Sequence, residues 1–129
     1  MKAKHDPVTE FFDEYPGSVP DLARRLRDLV RLALPDACED LDRPGRVVGY
    51  SYGPGYSGLV CTIILSKTSV KLGVVGSAQM ADPANLLEGA GKRHRYVAFA
   101  QASDFARPDI CDLLHAAAKR WKDQQGKKA

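Results

Sequence analysis

The amino-acid sequence predicts an α+β fold in which an antiparallel sheet packs against helices from both ends of the chain. Apolar residues recur at helical spacing in the first third, alternate in the middle, and return to helical spacing near the C-terminus. The connections between the predicted strands are too short for the crossovers that parallel strands need, so we expect a meander. At 129 residues, of which 44% are hydrophobic, the chain has the size and composition of one globular domain.

Two helices are predicted at the N-terminal end. The first covers residues 7–14, because Asp6 is a favourable N-cap and Pro7 suits the first helical position, where its missing N–H costs nothing. The second begins near Ser18 and ends before Pro35, and its apolar residues fall on one face. These apolar residues are Leu22, Leu26, Leu29 and Val30.

Four strands are predicted in the middle of the chain from their β-branched and aromatic composition. They cover residues 46–52, 59–65, 69–75 and 95–100. The third contains the run Val-Lys-Leu-Gly-Val, in which every second residue is apolar and large. This alternation indicates a sheet with one face on the core and one face outward.

Two further helices are predicted in the second half. An Asp-Pro pair at residues 82–83 repeats the N-cap signal and opens a short helix over residues 84–87. The last helix begins near Pro108 and carries an apolar stripe that we expect to pack across the sheet. The stripe consists of Ile110, Leu113, Leu114, Ala117 and Trp121. We expect the core of the domain to span residues 7–122 and residues 123–129 to form a frayed basic tail.

Charge is unevenly distributed along the chain. Residues 1–42 carry ten acidic and six basic residues, and residues 43–129 carry six acidic and thirteen basic ones, for a net charge of +3. Such a dipolar surface steers charged ligands or partners. The sequence contains no apolar run long enough for a membrane span and no recognisable signal peptide, so we expect a cytoplasmic protein without a membrane partner.

Two groups of acidic residues are candidate ligands for a hard cation such as iron, because such cations prefer carboxylate oxygens. In the first helix the acidic residues share a face by their i, i+3 and i+4 spacing. The second group follows the second helix, where residues 35–41 are predicted to add a helical turn. The candidate ligands are Glu10, Asp13, Glu14, Asp36, Glu39 and Asp40. A solvated acidic surface without a metal is the competing interpretation.

A glycine-rich basic loop is the candidate for an anion site. Glycines let backbone N–H groups approach an anion, and the cationic side chains that follow would surround it. The loop lacks the spacing of a Walker phosphate-binding loop, and a solvated basic turn before a strand is the alternative. Its residues are Gly89, Gly91, Lys92, Arg93, His94 and Arg95.

Tyrosines around a glycine-rich segment are candidates for the wall of a pocket. These are Tyr50, Tyr52 and Tyr56, which we expect to face outward at a strand end. Aromatic side chains beside basic ones stack nucleobases in some proteins. The chain has no RNP-like motif and no strong basic stripe, so a nucleic-acid partner is disfavoured, and half-buried packing is the alternative.

Two short motifs suggest enzymatic chemistry but lack its structural context. Ser51 stands in a G-x-S-x-G pattern, and a G-x-G-x-x-G pattern follows at residues 53–58. Each needs a helix directly after it, where the sequence predicts another strand. An enzyme would need Ser51, Cys38 or His94 to meet a base in the fold. The three cysteines fit neither a disulfide framework nor a zinc site, so we predict reduced thiols and favour a binding domain over an enzyme.

From about residue 11 to residue 120, the order of these features resembles the YdhG-like family, which is related to frataxin and grouped with YjbR-like and CyaY-like domains. The resemblance rests on Pro-Asp-Ala at 35–37, Tyr-Ser-Tyr-Gly at 50–53, Val-Lys-Leu-Gly at 70–73, Asp-Pro at 82–83 and, most specifically, Leu-Leu-Glu-Gly-Ala-Gly-Lys-Arg-His-Arg at 86–95. It implies a two-layer domain with a curved antiparallel sheet of about five strands, backed by N-terminal and C-terminal helices.

The resemblance also bears on function. Some relatives are proposed to be iron chaperones, which implies an iron-handling role for this chain and iron as its cargo. The matching basic loop instead implies a small anionic ligand or a protein partner. The two alternatives stay open.

Overall fold

The computed structural model describes residues 6–52, 58–76, 87–89, 95–106 and 109–128, with side chains described through residue 123. In these ranges the chain forms α1 (Pro7–Asp13), α2 (Val19–Ala33), β1 (Cys38–Asp42), β2 (Val47–Ser51), β3 (Leu59–Leu65), β4 (Val70–Val74), β5 (Arg95–Phe99) and α3 (Asp109–Lys128), with a 3-10 helix at Ala102–Ala106. The predicted helix over residues 84–87 lies outside the described residues, except for Leu87, which is not helical.

The five strands form one antiparallel sheet in which each strand pairs with the next along the chain, in the order β1-β2-β3-β4-β5. The register aligns one row of inward-facing residues across the sheet: Leu41, Val48, Ile63, Leu72 and Val97. Helices α2 and α3 pack against this face, and α1 packs on α2. The core therefore lies between a sheet layer and a helix layer, which confirms the predicted α+β fold.

The apolar stripes of α2 and α3 are the predicted ones. The fully or nearly fully buried members are Leu22, Leu26, Val30, Ile110, Leu113, Leu114 and Ala117, and Leu29 and Trp121 are partly buried against them. Burial of one Leu, Ile or Val side chain stabilises the fold by about 1.5–3 kcal/mol. The stripes therefore hold both helices on the sheet. The last helix continues through Lys128 and includes most of the predicted tail.

The N-terminus of α1 is capped as predicted. Asp6 has extended backbone geometry, and its side chain accepts hydrogen bonds from the backbone N–H groups of Val8 (3.1 Å) and Thr9 (3.4 Å). Two of the N–H groups that a helix leaves unpaired at its start thereby find partners. The cap directs α1 so that Phe11 and Phe12 enter the core.

The predicted helical turn over residues 35–41 is wrong, because the chain there forms β1, Cys38–Asp42. This strand carries acidic residues on both faces, so it lacks the alternation of apolar and polar residues that marks an ordinary strand. Its inward-facing Glu39 is tolerated because Arg27 of α2 meets it with two hydrogen bonds. The partner lies twelve residues earlier in the chain, where no local pattern reveals it.

The outward face of the sheet is built around small residues. One row across it consists of Asp40, Gly49, Thr62, Gly73 and Tyr96. A Cβ atom on Gly73 would lie only 2.7 Å from Oγ1 of Thr62. Beside this row, Nζ of Lys71 lies 4.5 Å from the centroid of the Tyr96 ring. Neighbouring side chains therefore fill the space that a larger residue at position 73 would need.

Candidate functional site

A network of charged and polar groups joins α1, α2, β1 and β2. Arg27, whose side chain is 12% exposed, donates from Nε and Nη2 to the two carboxylate oxygens of Glu39 at 2.8 and 2.7 Å. Its Nη1 donates to Asp6 at 2.8 Å. The hydroxyl of Tyr50 donates to Oε2 of Glu39 at 2.6 Å. Each member thus has partners supplied by other elements.

These hydrogen bonds shift the titration of the network. The hydrogen bond from Arg27 lowers the pKa of Asp6 from its ordinary value of 3.8 to about 2. Burial alone would raise the pKa of Glu39, but hydrogen bonds from Arg27 and Tyr50 outweigh it and the pKa is lowered. Burial and the hydrogen bond to Glu39 raise the pKa of Tyr50 well above its usual range. Both carboxylates are therefore ionised and Tyr50 is protonated at neutral pH.

Acidification is expected to destabilise the fold between about pH 4 and about pH 2, the window set by the ordinary and folded pKa values of Asp6. A carboxyl group with a lowered folded pKa stabilises the protein fully above its unfolded pKa, and this contribution is lost as the pH falls through the folded pKa. Glu39 acts in the same direction.

The Asp6→Asn variant tests this expectation, because asparagine remains a good N-cap but does not titrate. The difference in unfolding free energy between wild type and this variant, measured by urea titration, should be largest above pH 4 and shrink towards pH 2. The same difference for Asp28→Asn, at an exposed position of α2, should be small at every pH. A difference for Asp6→Asn that does not change with pH would contradict the role of Asp6.

The structure does not bring the predicted metal ligands together. Because β1 is a strand, Glu39 and Asp40 point to opposite faces of the sheet. Asp13 pairs with Arg24, and Glu14 pairs with Arg43. The remaining candidates, Glu10, Asp36 and Asp40, are exposed. Within the described ranges, no group of three or more His, Cys, Asp or Glu side chains is arranged to hold a metal ion.

A second cluster of polar residues lies at one end of the sheet. Because neighbouring strands run antiparallel, the ends of β2 and β4 lie beside the starts of β3 and β5. At this end Arg95 pairs with Val74. Arg95 is two residues before the inward-facing Val97, so it lies on the same, helix-covered face. The register therefore places this arginine on the helix-covered face, at the end of the sheet where β4 ends.

Three consecutive residues of α3 reach the same end. The ring of Trp121 packs on Tyr52, which follows β2, with 5.4 Å between ring centroids and 31° between planes. Nζ of Lys122 lies 5.4 Å from the centroid of Tyr52. On the other side, the guanidinium of Arg120 lies where a side chain on Gly76 would begin. Gly76 has a φ of +73°, a backbone conformation that favours glycine.

We call Tyr52, Arg95, Arg120, Trp121 and Lys122 the cationic end of the sheet. Two acidic residues lie near it. Burial raises the pKa of Tyr52, and the charge of Asp36 raises it further. The backbone of Glu88 pairs with that of Tyr96, next to Arg95. The cluster thus combines three basic groups, two aromatic rings and a tyrosine hydroxyl that is protonated at neutral pH.

The predicted anion loop is described only at its two ends. Gly89 is exposed with a φ of +99° and lies against the ring of Tyr96, and Arg95 begins β5. The other predicted members, Gly91, Lys92, Arg93 and His94, lie outside the described residues.

No signal in the sequence links Arg95 with Arg120, Trp121 and Lys122. In the sequence, Trp121 reads only as the last residue of an apolar helical stripe. The two basic residues beside it resemble any solvated pair on a helix.

The three predicted pocket tyrosines have different positions. Tyr50 faces the core at 1% exposure, so the expectation that it faces outward is wrong. The register places it between Glu39 and Cys61, on the inward face of the sheet. Tyr52 is partly buried against Trp121. Tyr56 lies outside the described residues.

The residues with potential enzymatic chemistry do not form a catalytic group within the described ranges. Ser51 pairs with Cys38 across β1 and β2, and the next strand, β3, begins at Leu59. Cys38, Cys61 and Cys111 are free thiols, as predicted. Cys61 is buried, which raises its pKa to about 12 and makes it a poor nucleophile. His94 lies outside the described residues.

Comparison with known proteins identified no relative of this chain. No family model, curated protein or solved structure matches the chain significantly. The class of protein is therefore defined by the fold itself, an α+β domain with a five-stranded antiparallel meander backed by helices. Over the described residues, no helix is both long and apolar enough to cross a membrane.

Proposed function

We propose that this protein is a cytoplasmic binding domain that holds a small anionic ligand at the cationic end of the sheet. The observation that carries the proposal is that basic residues from two elements that are distant in sequence lie at the same end of the sheet. Arg95 comes from β5, and Arg120 and Lys122 come from α3. Ligand binding alone accounts for this arrangement, without catalytic activity.

The chemistry of the three side chains suits carboxylate and phosphate groups. A guanidinium presents several N–H donors in a planar fork that matches two oxygens of such an anion. Arg120 lies against the main chain at Gly76, which restricts where its guanidinium can move. Restriction of a side chain before binding lowers the entropy cost of ordering it in the complex.

Iron handling, which the resemblance to frataxin-related proteins implies, is the alternative. Three of its six candidate ligands, Asp13, Glu14 and Glu39, form ion pairs with arginines. An iron(II) ion would have to displace these arginines to use the carboxylates. The described contacts therefore favour an anion over a cation as the ligand.

Replacement of Arg120 by alanine is expected to weaken the binding of inorganic phosphate by about tenfold or more, because a hydrogen bond to a charged group contributes roughly 1.5–3 kcal/mol. Isothermal titration calorimetry on the full chain measures this directly. The matched control is Arg25→Ala, which removes an exposed arginine from α2 and should leave phosphate affinity unchanged.

Urea unfolding of both variants separates lost binding from lost folding. The proposal is wrong if the wild type binds no phosphate, or if the Arg120→Ala variant binds it as tightly as the wild type. A parallel anaerobic titration with Fe(II) tests the alternative. Iron binding that is lost in an Asp36→Asn, Asp40→Asn double variant would favour iron handling.

A further inference from the structure

We infer that the ligand of the cationic end is a nucleotide, in which a planar base and a phosphate group are joined by a sugar. This inference rests on the proposed function and specifies its ligand. The basis is that the aromatic pair Tyr52 and Trp121 lies beside Lys122 and at the same end of the sheet as Arg120.

The aromatic pair offers a stacking surface. The two rings are tilted by 31° with centroids 5.4 Å apart, so they form one continuous aromatic surface. Both side chains are only partly buried, and each therefore keeps exposed surface. Aromatic side chains of this kind stack on nucleobases, whose rings all present a π face.

The charge at this end of the sheet differs between the two sides of α3. Asp36 acts electrostatically on Tyr52, and Lys122 lies over the same ring, so positive and negative charge offset each other near Tyr52. On the other side of α3, Arg120 lies at Gly76, next to the strand end where Arg95 pairs with Val74. A phosphate is thus favoured on the arginine side and an uncharged base on the tyrosine side.

The arrangement distinguishes a nucleotide from a simple anion. Arg120 and Trp121 both lie at the cationic end of the sheet, Arg120 at Gly76 and Trp121 at Tyr52, so we expect one mononucleotide to span them, with its phosphate at the guanidinium and its base at the indole. Inorganic phosphate or a sugar phosphate would use only the first of these contacts. The base should therefore add affinity beyond that of the phosphate alone.

The test compares four ligands on the intact chain: AMP, adenosine, ribose 5-phosphate and inorganic phosphate. Trp121 is the single tryptophan of the protein, so its fluorescence reports on the site without labelling. We expect AMP to change this fluorescence and to bind about tenfold or more tightly than ribose 5-phosphate, the gain that stacking on an aromatic side chain provides.

Two variants locate the base, with affinities measured by calorimetry. Trp121→Leu should bring the affinity for AMP down to the affinity for ribose 5-phosphate measured on the same variant. Tyr52→Leu should weaken AMP in the same way, and it serves if the tryptophan variant does not fold.

The outcomes separate the two proposals. If phosphate binds but AMP binds no more tightly than ribose 5-phosphate, the nucleotide inference is overturned and the anion site stands. If neither phosphate nor AMP binds, both are overturned.

Discussion

Replacement of Arg27 by alanine is expected to lower the free energy of unfolding by about 3 kcal/mol, the lower end of the cost of breaking a buried ion pair. The side chain is 12% exposed and the Glu39 side chain 20%, so the carboxylate left behind is only partly hydrated. Asp6 loses its charged partner in the same substitution. Urea unfolding at pH 7 measures the change.

Two further variants show whether the loss of stability comes from the Glu39 carboxylate that is left without its arginine partner. Arg25→Ala, at an exposed position of the same helix, should change stability by less than about 0.5 kcal/mol. A triple variant, Arg27→Met with Glu39→Leu and Tyr50→Phe, removes all three polar groups together. It should be closer to wild type than Arg27→Ala, because no buried group remains without a partner. A triple variant less stable than the single one would contradict this account.

Replacement of Ile63 by alanine is expected to cost about 3–4 kcal/mol, within the range for deletion of a fully buried Ile side chain. Ile63 is fully buried in the middle strand of the sheet, between Val48 and Leu72. The truncation leaves a cavity that neighbours on two strands and the helix layer fill only in part. The urea midpoint should fall without a change in the slope, since the surface exposed on unfolding stays nearly the same.

The adjacent Ile64 provides a matched control. It lies in the same strand but on the outward face, where it is only partly buried. Ile64→Ala should therefore cost about 1 kcal/mol, less than the truncation at Ile63, because less apolar surface is lost from a partly buried position. Equal costs at the two positions would mean that the assigned faces of β3 are wrong.

Much of the fold was predictable because helices α1, α2 and α3 and strands β2 to β5 carry local signals. Asp6 and Pro7 mark the start of α1, and the observed β3, Leu59–Leu65, has the predicted boundaries. In these segments the residues that define the pattern are also those that the core buries. The spacing of apolar residues there agrees with the face that is buried, so the sequence predicts the element and its orientation.

The local pattern of apolar and polar residues did not predict strand β1, and the reason lies in one residue. Glu39 occupies an inward-facing position that a period-based analysis expects to be apolar. Its burial becomes favourable only through Arg27 on another helix and Tyr50 on the next strand. The same fact explains why Tyr50 was expected to face outward. Both errors come from one network whose members are spread along the chain.

The candidate site likewise contains residues that the sequence identifies and contacts that only the structure shows. The sequence alone indicates that Arg95 belongs to a basic loop and that Tyr52 is a candidate for the wall of a pocket. It could not connect them with Arg120, Trp121 and Lys122, because that proximity depends on where α3 crosses the sheet. Among the acidic candidates the opposite holds, because Asp13 and Glu14 belong to one predicted helical face but pair with different arginines.

The sequence by itself determined the order and type of most elements, the antiparallel meander and the faces of α2 and α3, because these depend on residues near one another in the chain. Only the tertiary structure decided that residues 38–42 form an edge strand, that Arg27 neutralises Glu39, and that the end of α3 meets Tyr52 and Gly76. Hydrophobic periodicity specifies which face of an element is buried. It does not specify which distant partner that face will meet.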